Sequence, residues 1–236
     1  MGFNVLKESS ENSTAREELK KRGLDFTSSG LVRILRKLKL VGGISIGDVR
    51  KSWDVLKTVE FIRQNVKPDA RILDFGSYAS EILPILHRAG YTALKGVDLN
   101  PNLKNMPYSD KIYYCVGNFM DGTLSGKFDV VTAISVIEHG YREGELIKVL
   151  TDLVAPGGYF IASVDYWPEK IDTSGIRAFG MDWQIFSEQD IKDIFARIAP
   201  AGFTPASSLD FKAKDAVIDW MGKKYTFAWF ALKRAA

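Results

Sequence analysis

Five short clusters hold the groups in this sequence that could do chemistry. Asp74-Phe75-Gly76-Ser77-Tyr78-Ala79-Ser80 joins a carboxylate to a glycine and three hydroxyls. Gly96-Val97-Asp98-Leu99-Asn100 places a second carboxylate 22 residues after Gly76. Gly117-Asn118-Phe119 sets an amide beside a ring. Ser135-Val136-Ile137-Glu138-His139-Gly140 contains one of only two histidines, and Ser163-Val164-Asp165-Tyr166-Trp167 ends in an acid and two aromatic side chains. Gly76 permits a tight strand-to-helix turn that lets a ligand approach the backbone, and the following helix N-terminus suits a carboxylate or phosphate. Asp98 is near the offset at which an acid meets the two hydroxyls of a ribose. Asn118 can donate and accept, as the edge of a base requires, and Phe119 can stack. An anchor for a charged group, a diol acceptor and a base pocket are the parts of a nucleoside site.

These clusters need elements that hold them side by side. From Arg71 onward short apolar runs alternate with helical patterns. Strands are expected at Ile72–Phe75, Leu94–Leu99, Lys111–Val116, Phe128–Val136 and Tyr159–Val164, with helices at Glu81–Arg88, Glu143–Leu153 and Ser187–Ile198. Strands apolar along most of their length imply a parallel sheet covered on both faces. Ligands on such a sheet bind beyond the carboxyl ends of the strands, where each cluster falls. Two further strand-like runs, Ser207–Lys214 and Tyr225–Leu232, are too close for a crossover helix and are expected to pair antiparallel.

The stretches ILDFGSYAS, GVDLNP, VGNFMD, FDVVTAISVIEHG and LVAPGGYFIAS, running from Arg71 to about Ser163, resemble class I S-adenosylmethionine-dependent methyltransferases in order and spacing. A nicotinamide dehydrogenase would want Gly-x-Gly-x-x-Gly, which is absent. The resemblance implies an α/β, Rossmann-like, doubly wound sheet of seven strands with the last antiparallel, and S-adenosyl-L-methionine as cofactor. Carried onto this chain, it implies cofactor contacts at Asp74, Gly76, Ser77, Tyr78, Ser80, Asp98, Leu99, Asn118, Phe119 and Ser135. Trp53 is added as a residue that could close the site as a lid, against the alternative of core packing. Two departures stand out. Tyr78 and Ser80 occupy positions where the family usually has glycine, and Asn118 stands where it often has Asp. Ser80 can cap the helix instead.

For the transfer itself, His139 is a candidate general base by its pKa class, or a packing residue near the cofactor. Asp165 is the second catalytic candidate, and Tyr166, Trp167 and Trp183 are candidates for holding the acceptor. Aromatic faces and carboxylates together suit a sugar, and the long irregular stretch from Trp167 to Ile185 could carry specificity. A divalent cation on Asp165, Glu138 or His139 is chemically possible, but no ligand spacing demands one, so no metal is expected. The preferred acceptor is a hydroxyl of a small molecule or glycan. The alternatives are a non-catalytic binder of the cofactor and a nucleic-acid methyltransferase. The latter is disfavoured, because no Asn-Pro-Pro-Tyr/Phe box follows the fourth strand.

The chain has 236 residues, 46% hydrophobic and 26% charged, with a net charge of +3. That composition excludes disorder as the main state, and the charge is too weak to argue for nucleic acid. Residues 1–47 read as an N-terminal helical extension and 48–236 as the cofactor-binding domain. In the extension, Thr14 and Glu17 suggest a capping box and Gly23 a stop. Leu31–Leu40 reads as a helix with Arg33, Arg36, Lys37 and Lys39 on its polar side, either a solvated face or a docking face. A second helix, with Val55, Val59, Ile62 and Val66 on one stripe, is expected from Asp48 to Val66. A lone Cys115, no apolar run of about 18 residues and a polar start point to a cytoplasmic protein without a transmembrane segment. The oligomeric state is not legible.

Overall fold

The computed structural model describes residues 2–27 and 43–236, together with Ile34, Leu38 and Leu40. The basic helix expected over Leu31–Leu40 lies outside the described residues apart from those three, all exposed.

In chain order the elements are β1 (Phe3–Val5), α1 (Ser9–Lys21), α2 (Ser52–Asn65), β2 (Arg71–Phe75), α3 (Ile82–Arg88), β3 (Ala93–Asp98), β4 (Tyr113–Val116) and β5 (Phe128–Ile134). Then come α4 (Glu143–Leu153), β6 (Val154–Tyr166), β7 (Arg177–Ala178), β8 (Met181–Asp182), α5 (Glu188–Ile198), β9 (Phe203–Pro205), β10 (Ile218–Trp220) and β11 (Lys223–Arg234). The main sheet runs β4-β3-β2-β5-β6-β11. Its first five strands are parallel, and β11 is antiparallel to β6 over Thr226–Lys233. The free margin of β11 is shared by β1, opposite Ala228–Phe230, and β9, opposite Leu232–Arg234. Two short segments from the two ends of the chain thus fill the seventh place. This is the Rossmann-like sheet with an antiparallel last strand that the strand pattern and the resemblance implied.

Strand alternation sends side chains to two cores. Leu73, Val131, Phe160 and Ala162 meet α4 and α5 on one face, while Ile72, Val130 and Ile161 meet α1, α2 and α3 on the other. In α5, Ile191, Ile194, Phe195 and Ile198 recur at helical spacing and are all buried, each worth roughly 1.5–3 kcal/mol of transfer free energy. The helix starts as expected, with Ser187 and Asp190 forming a reciprocal capping box. On α2, Val55, Val59 and Ile62 form the buried stripe, and the helix ends where Val66 turns extended ahead of Pro68.

The N-terminal reading needs correction at its first helix. α1 begins at Ser9, and its capping box is Glu8 with Glu11, not Thr14 with Glu17. Phe3–Val5, ahead of that helix, pairs with β11 in the main sheet. Among the described residues, no helix is long and apolar enough to cross a membrane. The chain end differs too. Residues 207–214 form no strand, and β11 pairs instead with β10 in a hairpin and with β9. In this segment Leu209 makes an isolated bridge to Phe3, and Phe211 packs its ring on Phe3, centroids 4.6 Å apart.

Candidate functional site

The tips of β2, β3 and β4 are tied together by backbone bonds. Gly76 and Ser77 both donate their N–H to Val97 O, at 2.9 and 3.1 Å, so the turn after β2 is pinned to β3. Gly117 N–H donates to Asp98 O at 2.9 Å, which pins the tip of β4. Gly76 has φ +69°, and a Cβ there would meet Val136 Cγ2 at 2.4 Å. The glycine is therefore required twice, by conformation and by the close approach of the segment after β5.

Asp74 and Ser77 support the turn from inside. Each is 1% exposed. Thr132 Oγ1 donates to Asp74 Oδ1 at 2.6 Å and Ser77 Oγ to Asp74 Oδ2 at 3.0 Å. Burial pushes the Asp74 carboxyl up to about 6. Their side chains are buried and hydrogen-bonded within the protein. Ser80 Oγ accepts the Ile82 N–H at 3.2 Å, so it serves the start of α3. Tyr78 does not block the strand tips. Its ring packs against the cluster of Ile46, Leu103 and Met106, and its N–H donates to Asp98 Oδ2 at 3.0 Å. The positive φ that a glycine would have absorbed falls on Ala79, at +62°.

Asp98 ends β3 with its carboxylate partly exposed. Oδ2 takes the Tyr78 N–H and Oδ1 the Asn100 N–H at 2.8 Å. Each carboxylate oxygen can accept twice, so one site remains on each for a diol. Leu99 beside it is 56% exposed, and a Cβ on Gly117 would meet nothing within 4 Å. Asn118 Oδ1 accepts the Met120 N–H at 3.0 Å, and Nδ2 donates one hydrogen to Asp121 Oδ1 at 2.9 Å, which leaves a second hydrogen for a base. Phe119 gives one face to Phe75, centroids 4.2 Å apart and planes 12° apart. The chemistry of these groups suits an adenosyl group: free acceptor sites lie on a carboxylate, with an open strand tip and an apolar side chain beside it.

Beyond β5 and β6 lies a second, denser cluster. Asp165 is 3% exposed and accepts Trp183 Nε1–H at 2.8 Å. Tyr225 also bonds to it through its hydroxyl. Glu138 is 1% exposed, and neither of its oxygens has a hydrogen-bond partner among the described residues. Burial, then the neighbouring Asp165 charge, raises Glu138 well above the usual carboxylate range, and burial also raises Asp165. Asp54, at the start of α2, is fully buried, accepts Ser163 Oγ–H at 2.7 Å and is pushed up to about 6 by burial. Lys51, one turn earlier, brings its ammonium into the cluster. Nζ donates to Ser135 Oγ, stands 3.9 Å from Asp165 Oδ1 and lies 3.2 Å from the centroid of the Phe227 ring. Ser135 itself takes φ +54° and donates its N–H to Ser163 O at 3.0 Å.

The remaining expected site residues divide clearly. His139 borders the cluster, its ring edge-on to Phe179 at 5.1 Å, but burial and then the Lys51 charge lower it to about 4. An imidazole that weak is a poor base at neutral pH. Trp183, expected at the acceptor, does reach Asp165. Tyr166 does not: strand alternation turns it to the opposite face, where it is 0% exposed and donates its hydroxyl to Phe211 O. Trp167 is half-buried and its N–H donates to Phe186 O at 3.0 Å. Trp53 is 5% exposed and lies in the core cluster with Ala15 and Leu19, the packing weighed against a lid. The helical register sends its neighbours Lys51 and Asp54 to the strand tips instead. Lys51, Tyr225 and Phe227 were missed by the sequence reading, and Glu138 was weighed only as a metal ligand. Their meeting depends on the register Phe227 opposite Asp165, which no local pattern announces.

Comparison with known proteins adds an independent line. A family described as a methyltransferase domain matches residues 53–208. None of the functionally curated proteins matches the chain. Among solved structures, the geranyl diphosphate C-methyltransferase of Streptomyces coelicolor, solved with S-adenosyl-L-homocysteine, is 14% identical, covering 76% of this chain and 78% of its own at a TM-score of 0.55. The 1,6-didemethyltoxoflavin-N1-methyltransferase of Burkholderia thailandensis, also solved with S-adenosylhomocysteine, is 15% identical over 78% and 79%, at 0.55. The magnesium protoporphyrin IX methyltransferase of Synechocystis, with S-adenosylmethionine bound, is 16% identical over 98% and 100%, at 0.52.

Proposed function

The chain belongs to the methyltransferase-domain family, whose cofactor is S-adenosyl-L-methionine, and on that premise we propose that it methylates a hydroxyl of a small molecule or glycan. The observation that carries the oxygen acceptor is the buried carboxyl pair of Glu138 and Asp165 beside the tips of β5 and β6. A hydroxyl must give up its proton as its oxygen gains the methyl group, and a carboxyl of raised pKa within reach can take it.

The bound cofactor supplies an electrophilic methyl carbon on a sulfonium. In this reading Asp98 holds the ribose hydroxyls, Asn118 meets the base edge, and the turn at Gly76 brings backbone close to the methionyl part. Trp183 and Tyr225 fix the orientation of Asp165. Glu138, pressed against the same charge, provides a second place for the proton. His139 is left as a wall residue. A glycan is supported by the exposed rings at the same end. Phe179, 78% exposed, stacks on Trp220 with planes 25° apart and presents an aromatic face to the C–H side of a sugar. A cytoplasmic location goes with this reading.

The test is transfer of an isotopically labelled methyl group from saturating S-adenosylmethionine to a panel of methyl glycosides and phenols. The proposal expects label in a methyl ether stable to mild base, and a rate reduced by about 100-fold or more in Asp165→Asn. Label in an amine or an ester, or no product with any hydroxyl acceptor, would contradict it.

A further inference from the structure

The cluster beyond β5 and β6 holds more acid than base. Asp54, Glu138 and Asp165 are all buried there, and Lys51 acts on each of them. Arg50 also acts on Asp165, but its guanidinium is held by the Asp48 carboxylate, at 2.7 Å from Nη2 to Oδ2. His139, a further titratable neighbour, is pushed down by burial and then by Lys51, and adds no positive charge at neutral pH. The surroundings of Lys51 Nζ are an aromatic face at 3.2 Å, the Ser135 hydroxyl and a carboxylate at 3.9 Å. Such a combination binds cations. Three carboxyls face one ammonium, and one of them, Glu138, has no hydrogen-bond partner among the described residues. The cluster can therefore take a second positive charge.

The methyl donor carries a fixed positive charge on sulfur that its demethylated product lacks. From Asp98 the strand tips run β3, β2, β5, spaced about 4.8 Å apart. A ribose at the first of these directs the sulfur end of the cofactor toward the last, where Ser135 meets Lys51. We propose that Glu138 and Asp165, with Lys51 as their movable counter-ion, form a seat for the sulfonium charge that makes the protein prefer S-adenosylmethionine to S-adenosylhomocysteine. The inference rests on the methyltransferase reading and extends it to how donor is told from product. The Lys51 side chain is 22% exposed and long enough to carry its ammonium out to water when a second cation arrives. Until it moves, its like charge opposes the sulfonium and leaves the neutral thioether untouched.

Calorimetric titration of the full chain with each ligand tests this. The wild-type protein is expected to bind S-adenosylmethionine about tenfold more tightly than S-adenosylhomocysteine. Glu138→Gln should erase most of that preference by weakening the donor alone, and Lys51→Met should widen it by strengthening the donor alone. Asp165→Asn serves as the second acidic variant should Glu138→Gln fold poorly by circular dichroism. Changes of equal size for both ligands would overturn the seat, because the affected groups would then serve a part that both ligands share. Absence of binding by either ligand to the wild-type protein would instead overturn the methyltransferase reading.

Discussion

Trp183 Nε1 donates to Asp165 Oδ2 across 2.8 Å, between two groups that are 2% and 3% exposed. The bond links the excursion between β6 and α5 to the tip of β6. It also steadies a carboxylate that burial would otherwise leave poorly compensated.

Removing that donor should therefore be costly. Trp183→Phe leaves Asp165 with less to hold its charge and opens space beside it, and is expected to lower stability by about 2–4 kcal/mol. Urea denaturation measures this directly. A loss below about 0.5 kcal/mol would mean that the bond does not order the site.

The turn after β2 makes a sharper claim. Gly76→Ala places a Cβ 2.4 Å from Val136 Cγ2 at a φ of +69°. We expect a loss of about 1–3 kcal/mol. Val136→Ala in the same chain should recover part of it, since the steric share disappears while the backbone share stays. Additive losses in the double variant would show that the two segments do not touch.

Stability should also depend on pH through Asp74. Its folded pKa, about 6, lies above the ordinary 3.8 because burial favours the neutral acid. The folded state thus binds more protons than the unfolded state between these values. The contribution is fully present below about pH 4 and is lost as pH rises through about 6. Asp74→Asn cannot titrate, so the gap between its stability and that of the wild-type protein should shift by about 2–4 kcal/mol across that window. Denaturation curves at pH 4 and pH 7 measure the shift, and a constant gap would refute it. Asp54 has the same sign.

The fold was largely legible because its information is local. Each of β2 to β6 announces itself by apolar runs, and the acid or amide that follows each strand marks the ligand edge without any knowledge of pairing. Asp98, Asn118 and Gly76 were singled out this way. What was hidden depends on non-local register. Asp74 and Ser77 have the right residue types, but only the sheet shows them consumed by Thr132 and by each other. Tyr166 follows Asp165 by one residue, and one residue along a strand is the opposite face. Trp53 lies between Lys51 and Asp54, and one-third of a helical turn decides which of them meets the site. Glu138, Lys51 and the β11 residues Tyr225 and Phe227 come from three separate segments, and the β6–β11 register that sets Phe227 opposite Asp165 is not local.

A crystal structure of the chain with S-adenosylhomocysteine examines the main claim most directly, with calorimetry on Asp98→Ala beside it. The account predicts both ribose hydroxyls on the Asp98 carboxylate, the thioether beside Ser135, and an affinity loss of about 1–3 kcal/mol in the variant. A ligand lodged away from the tips of β3, β2 and β5, or an Asp98→Ala protein that binds as tightly as the wild type, would contradict it.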